Sequence, residues 1–169
     1  FHNPGCYIFS NQGVRSPHTE KNDAMSTKNL DDILVTRLKR IPTVGGDVLH
    51  VLKNSDARFK GFGEVYFSWV ERGAIKAWKC HQRMTLNLVV PMGEVSFVFH
   101  LTNQKNKFRI ENIGEERYVC LTVPPGIWFG FQGRASGRSL LTNLADMAHD
   151  PNEVVRKPVT EFDYNWRNR

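Results

Sequence analysis

Residues 73–93 read GAIKAWKCHQRMTLNLVVPMG. Side chains alternate between the two faces of a strand. On that spacing Lys79, His81, Arg83 and Thr85 fall on one side, and Trp78 and Cys80 on the other. Leu86–Val90 then forms an apolar, partly β-branched run that closes on Pro91 and Gly93, residues that break strands and start turns. The stretch therefore reads as two short strands rather than a helix, with one polar face of unusual chemistry.

The same grammar extends in both directions. Residues 63–78 hold two strand-like runs around a turn at Glu71-Arg72-Gly73, and residues 84–101 hold two more around Pro91-Met92-Gly93. Residues 32–41 alternate loosely. Residues 117–133 form a β-branched and aromatic run around Pro124-Pro125-Gly126, and 138–148 is apolar enough for either strand or helix. Val, Phe, Tyr, Trp and Thr dominate, and turn signals recur at short spacing, which predicts an all-β jelly-roll barrel or sandwich. Helix signals are confined to two places. Asp31 and Asp32 are placed to open a short helix. In 149–158, Asp150 fits an N-cap, Pro151 the first helical position and Glu153 the capping-box acid. Residues 1–24 are polar and aperiodic and read as a disordered leader. Met25 reads as a natural start, and 25–169 as a single jelly-roll domain.

Of the 169 residues, 24% are charged and 40% hydrophobic, a globular balance, and the net charge is +6. A basic surface favours anionic partners. The Lys and Arg residues are scattered rather than blocked, so no nucleic-acid partner is expected. No stretch is long and apolar enough to span a membrane. Cys6, Cys80 and Cys120 are odd in number and widely spaced, which points to a reducing, cytoplasmic setting rather than a disulfide framework.

On a strand, Lys79 and His81 share one face with Arg83. Lining a barrel interior, that face makes a cationic pocket suited to a diphosphate or an enolate. The same alternation equally describes the half-solvated outer face of an antiparallel sheet. Histidine titrates close to neutrality without help, and a buried lysine beside other cations can reach that range. Arg83, Arg109 and Arg117 are candidates for a phosphate, which Arg grips with paired hydrogen bonds. Trp128 and Phe129 are candidates for stacking on a base, although strand aromatics mostly pack in cores. Tyr66 and Tyr118 are the available phenols.

The spacing of this stretch is similar to the cupin signature, where a Gly, two His two apart, a Glu and a second Gly recur. Gly73, Lys79, His81, Leu86 and Gly93 stand in those places, and Phe129 stands where the second block, Pro124-Pro125-Gly126-Ile127-Trp128-Phe129, would carry its His. Only His81 is a usual metal donor, and a divalent ion needs three or four. No metal and no other cofactor is expected; a metal-dependent oxygenase is the weakest reading.

Taken together, GDVLHVLK (46–53), GEVYFS (63–68), residues 75–99, LTVPPGIWFGFQG (121–133) and HDPNE (149–153) resemble the dTDP-4-dehydrorhamnose 3,5-epimerase family from about residue 33 onward. The resemblance implies a metal-free cupin-type jelly roll with one or two short helices, and a homodimer. It implies a nucleotide-diphosphate 4-keto sugar as substrate and proton abstraction next to the keto group. It also implies a His base backed by an Asp, a Lys near the developing oxyanion and a Tyr acid. Position by position, the family's Arg falls on Lys76, its base on Lys79 with His81 two residues on, its oxyanion lysine near Asn87 and its Asp near Asp163. Its Tyr falls near Leu141 or Thr142. The expected catalytic group is therefore His81, Lys79, Asn87 and Asp163, and the expected substrate-binding group Lys76, Arg83, Arg117, Trp128 and Phe129. The alternative is a catalytically silent nucleotide-sugar-binding or assembly module on the same fold.

Overall fold

The two tight turns of the central stretch are crossovers, and they set the architecture. β4 (Glu64–Val70) and β6 (Leu86–Met92) belong to one sheet, whereas β5 (Ile75–His81) and β7 (Glu94–His100) belong to another. The chain thus changes layer at 71–74, again over 82–85 between β5 and β6, and again at Gly93, whose φ of 79° lies in the region that glycine adopts without strain. Each layer is antiparallel. The first runs β1 (Leu34–Arg37), β9 (Val119–Val123), β6, β11 (Ser139–Ala145), β4, and the second β12 (Val154–Arg156), β5, β10 (Trp128–Gly133), β7, β8 (Phe108–Gly114). A small ribbon, β2 (Arg40–Ile41) with β3 (Val48–Leu49), stands apart. The structure is a computed structural model describing residues 28–167, so the leader expected over 1–24 lies outside the described residues. The expected all-β jelly roll is what is found.

Alternation places the core. Phe97, Phe99, Phe129 and Phe131 of the second sheet face Leu86, Leu88, Leu121 and Leu141 of the first, each at most 4% exposed. Burying each such side chain is worth about 1.5–3 kcal/mol. The opposite face of the second sheet carries Trp78, Cys80, Val98 and Trp128. The chain after β12 folds back to cover them with Phe162, Tyr164 and Trp166. The Trp78 indole N–H donates to the Val159 carbonyl at 3.1 Å, pinning that strap.

One helical element is described, a 3-10 turn at Leu30–Asp32 capped by Asn29, with Asp32 closing the capping box. The helix expected over 149–158 does not form. Asp150 does accept from the Asn152 backbone N–H at 2.9 Å, but only one turn follows. Val154 and Val155 are β-branched, and the free edge of β5 pairs with them: Val154 with His81, Val155 with Cys80, Arg156 with Lys79. Residues 139–145, open between strand and helix in the sequence, form β11 and pair on both sides. No described helix is long and apolar enough to cross a membrane.

Candidate active site

Register decides which way the polar face of β5 points. Phe129 lies opposite Lys79 on the neighbouring β10, and Phe129 is a core residue. Lys79 and His81 therefore face the interior of the sandwich, and Trp78 and Cys80 its outside. The Lys79 ammonium position is 4.9 Å from the Phe129 ring centroid, and the His81 ring stacks on the same phenyl at 6.2 Å. A bulge between Phe129 and Phe131 then sets Lys76 opposite Phe131. Strict alternation would put residues 76 and 79 on opposite faces; the extra residue brings both lysines to one side.

His81 and Lys79 line a cavity of about 420 Å³ with Glu64 and Tyr66 of β4, His149 and Arg156. A second cavity of about 380 Å³ adjoins it, sharing Lys79 and Arg156 and adding Ser68, Lys76, Phe131 and Lys157. The first compartment mixes acid, phenol and imidazole. The second has four cations and no carboxylate in its wall. A larger cleft of about 680 Å³ lies elsewhere, between β1 and the start of β9, and holds no histidine.

His81 is fixed by a carboxylate. Its Nδ1 lies 2.6 Å from Oε2 of Glu153, a side chain only 1% exposed. The other oxygen, Oε1, accepts the backbone N–H groups of Arg83 and Met84, both at 2.8 Å. Burial alone would raise the Glu153 carboxyl, but those two amides and His81 outweigh it and hold it below the usual carboxylate range. An ionised Glu153 takes the Nδ1–H and leaves the Nε2 lone pair free, and Nε2 has no hydrogen-bond partner among the described residues. Burial lowers the imidazole's pKa, Glu153 works against that, and Lys79 and Arg156 add to it, so the net shift is downward and the ring is neutral at pH 7.

Lys79 makes no hydrogen bond or ion pair among the described residues. Burial, then the charges of Arg156 and Lys76, lower its pKa to about 8. The Tyr66 phenol, raised mainly by burial, accepts a hydrogen bond from the Asn143 side-chain amide and keeps its own proton at neutral pH. This is a hydrogen-bonded base, a phenol donor and an uncommitted amine around one space, the parts that proton transfer beside a carbonyl requires.

The other expected residues lie elsewhere. Asn87 is on the opposite face of the first sheet, accepting from the Thr122 hydroxyl at 2.7 Å. Asp163 is exposed on the C-terminal strap, and the carboxylate bonded to His81 is Glu153. The Arg83 guanidinium is exposed and pairs with Asp150 at 3.0 Å, while its backbone helps hold Glu153. Arg117 pairs with Glu111 beside the larger cleft. Arg109 pairs with Glu111 as well and donates to the carbonyls of Leu30 and Ile33. Trp128 is on the outer face, edge-on to Phe162. Phe129 is a core residue packed against Lys79 and His81 rather than a wall of the cavity. Tyr118 donates to the His50 carbonyl, away from the site. Glu153 and Arg156 were hidden in the sequence within a stretch that reads as a helix start. Among the described residues, no three His, Cys, Asp or Glu side chains converge as metal ligands do.

No family model matches the chain. Among curated proteins it is 22% identical over 147 residues to the spore coat polysaccharide biosynthesis protein SpsL of Bacillus subtilis, covering 81% of this chain and 96% of that one. Among solved structures it is 30% identical to a dTDP sugar isomerase from Desulfovibrio desulfuricans, with a TM-score of 0.76 over 81% of this chain and 92% of that one. A sugar 3,4-ketoisomerase from Thermoanaerobacterium thermosaccharolyticum, solved with TDP, has the same fold at 19% identity and a TM-score of 0.65, covering 76% and 90%. With the ordered blocks of sequence and the jelly roll already described, the 30% match over nearly the whole of its partner places the chain in the family of dTDP-sugar isomerases and dTDP-4-dehydrorhamnose 3,5-epimerases.

Proposed function

We propose that the protein isomerises a nucleotide-diphosphate 4-keto sugar by moving a proton at a carbon next to the keto group. The observation that carries this reading is His81, bonded to the buried Glu153, in the wall of a cavity it shares with Lys79 and Tyr66. His81 Nε2 is the base, and Glu153 holds its tautomer and stabilises the imidazolium formed. Tyr66 is the proton donor, and Lys79 engages the keto group. The adjoining cationic compartment, with Lys76, Arg156 and Lys157, takes the diphosphate. Two buried free thiols, Cys80 and Cys120, support a reducing, cytoplasmic setting.

Incubation with dTDP-4-keto-6-deoxyglucose in D2O tests this. Deuterium is expected at a carbon flanking the keto group faster than without enzyme. Saturable binding with no exchange, across a panel of nucleotide 4-keto sugars, would instead establish the silent binding module.

A homodimer belongs to the same proposal. β4 is an edge strand, and its outward side chains Val65, Phe67 and Trp69 are 44%, 64% and 43% exposed. Such an apolar edge calls for a partner, and a second copy supplies the same surface. Sedimentation velocity is expected to give a dimer for the wild type and a monomer for Phe67→Glu; a wild-type monomer at micromolar concentration would remove this part.

A further inference from the structure

We propose that Lys79 acts as a nucleophile and forms an iminium with the keto carbon of the sugar, so that proton transfer runs through an enamine. The inference rests on the functional reading above and adds a covalent step to it.

Four observations converge on this amine. It lies against two phenyl faces, 4.9 Å from the Phe129 centroid and 5.7 Å from that of Phe131, with no acceptor among the described residues to hold its charge. It sits where the two compartments meet, so a sugar over His81 with its diphosphate toward Arg156 passes beside it. Burial, and then the neighbouring cations Arg156 and Lys76, lower its pKa to about 8, so more of the amine is unprotonated near neutral pH than for an ordinary lysine. The unprotonated fraction is a nucleophile, and it is replenished as it reacts. Finally, Asn87, the position aligned with an oxyanion lysine, is spent on Thr122 on the far face, so Lys79 is left to activate the carbonyl.

The chemistry balances without an oxidant or reductant. The Lys79 nitrogen lone pair bonds to the keto carbon, and the carbonyl electrons move to oxygen, which takes a proton from Tyr66. That oxygen takes its second proton from the attacking nitrogen and leaves as water, and a C=N⁺ bond forms with one hydrogen left on nitrogen. His81 Nε2 removes the proton from the adjacent carbon, and that electron pair becomes a C=C bond as the C=N⁺ electrons return to nitrogen. Reprotonation at carbon and addition of water reverse the sequence and free Lys79.

The test uses the full chain with dTDP-4-keto-6-deoxyglucose and sodium cyanoborohydride at neutral pH, read by intact mass and peptide mapping. An adduct on Lys79, heavier by the sugar nucleotide less one oxygen atom and suppressed by excess dTDP, is the expected result. Deuterium exchange with no adduct would overturn the covalent step and leave the isomerase reading standing. Neither exchange nor adduct across the sugar panel would overturn both. Lys79→Arg keeps a cation and removes the nucleophile. It should lose at least about 100-fold in exchange, the scale of one positioned catalytic group, with the thermal melt confirming the fold. Exchange within about tenfold of wild type in Lys79→Arg would also overturn the covalent step.

Discussion

Replacing His81 with Asn should cut deuterium exchange into a nucleotide 4-keto sugar by about 10²–10⁴-fold, the range a positioned general base supplies. The loss should fall on kcat, because the proposal gives the imidazole the proton being moved and assigns the diphosphate to the compartment of Lys76, Arg156 and Lys157. Affinity for dTDP, measured by calorimetry, should change little. Asn is the informative replacement because its side chain still reaches toward Glu153 and remains polar at a site 9% exposed. A variant that exchanges within about tenfold of wild type would remove His81 from the role of base and turn attention to His149, the other imidazole of the same cavity.

The central strand was legible in part. Period two put Lys79 and His81 together, and the structure keeps them so. It did not say which way they point, because an inward and an outward polar face have the same alternation. The answer came from β10, whose Phe129 is core and pairs with Lys79. Lys76 was out of reach of the pattern: its place beside Lys79 depends on a bulge that alternation excludes. The turns at 71–74 and 91–93 were visible as turns, but a two-sheet crossover and a hairpin are marked by the same Gly and Pro. Glu153 was least legible of all. The pair it forms with His81 spans 72 positions, and Asp-Pro-Asn-Glu carries a complete local helix-start pattern. Tertiary pairing of Val154 and Val155 with β5 overrode it.

That local misreading is also where a stability effect and a rate effect separate. Glu153 accepts two backbone N–H groups and one imidazole N–H with a side chain almost wholly out of water. Glu153→Ala strands the Arg83 and Met84 amides, and should destabilise the fold by about 2–4 kcal/mol in urea unfolding at pH 7. The wild-type contribution has a pH sign. The carboxyl is held below its ordinary 4.5, so its stabilisation is present above that value and is lost as pH falls through the folded one. Glu153→Gln behaves differently. The amide oxygen can keep both backbone bonds, so stability should change by only about 1 kcal/mol. Its NH₂, however, meets Nδ1 as a donor. The imidazole must then accept at Nδ1 and carry its proton on Nε2, leaving no lone pair there. The negative charge that would stabilise the imidazolium is gone as well. Exchange should fall about 10²–10⁴-fold in a protein that melts almost like wild type. A Glu153→Gln variant that retains full exchange would show that the tautomer of His81 does not matter to the reaction, and with it the assignment of Nε2 as the base would fall.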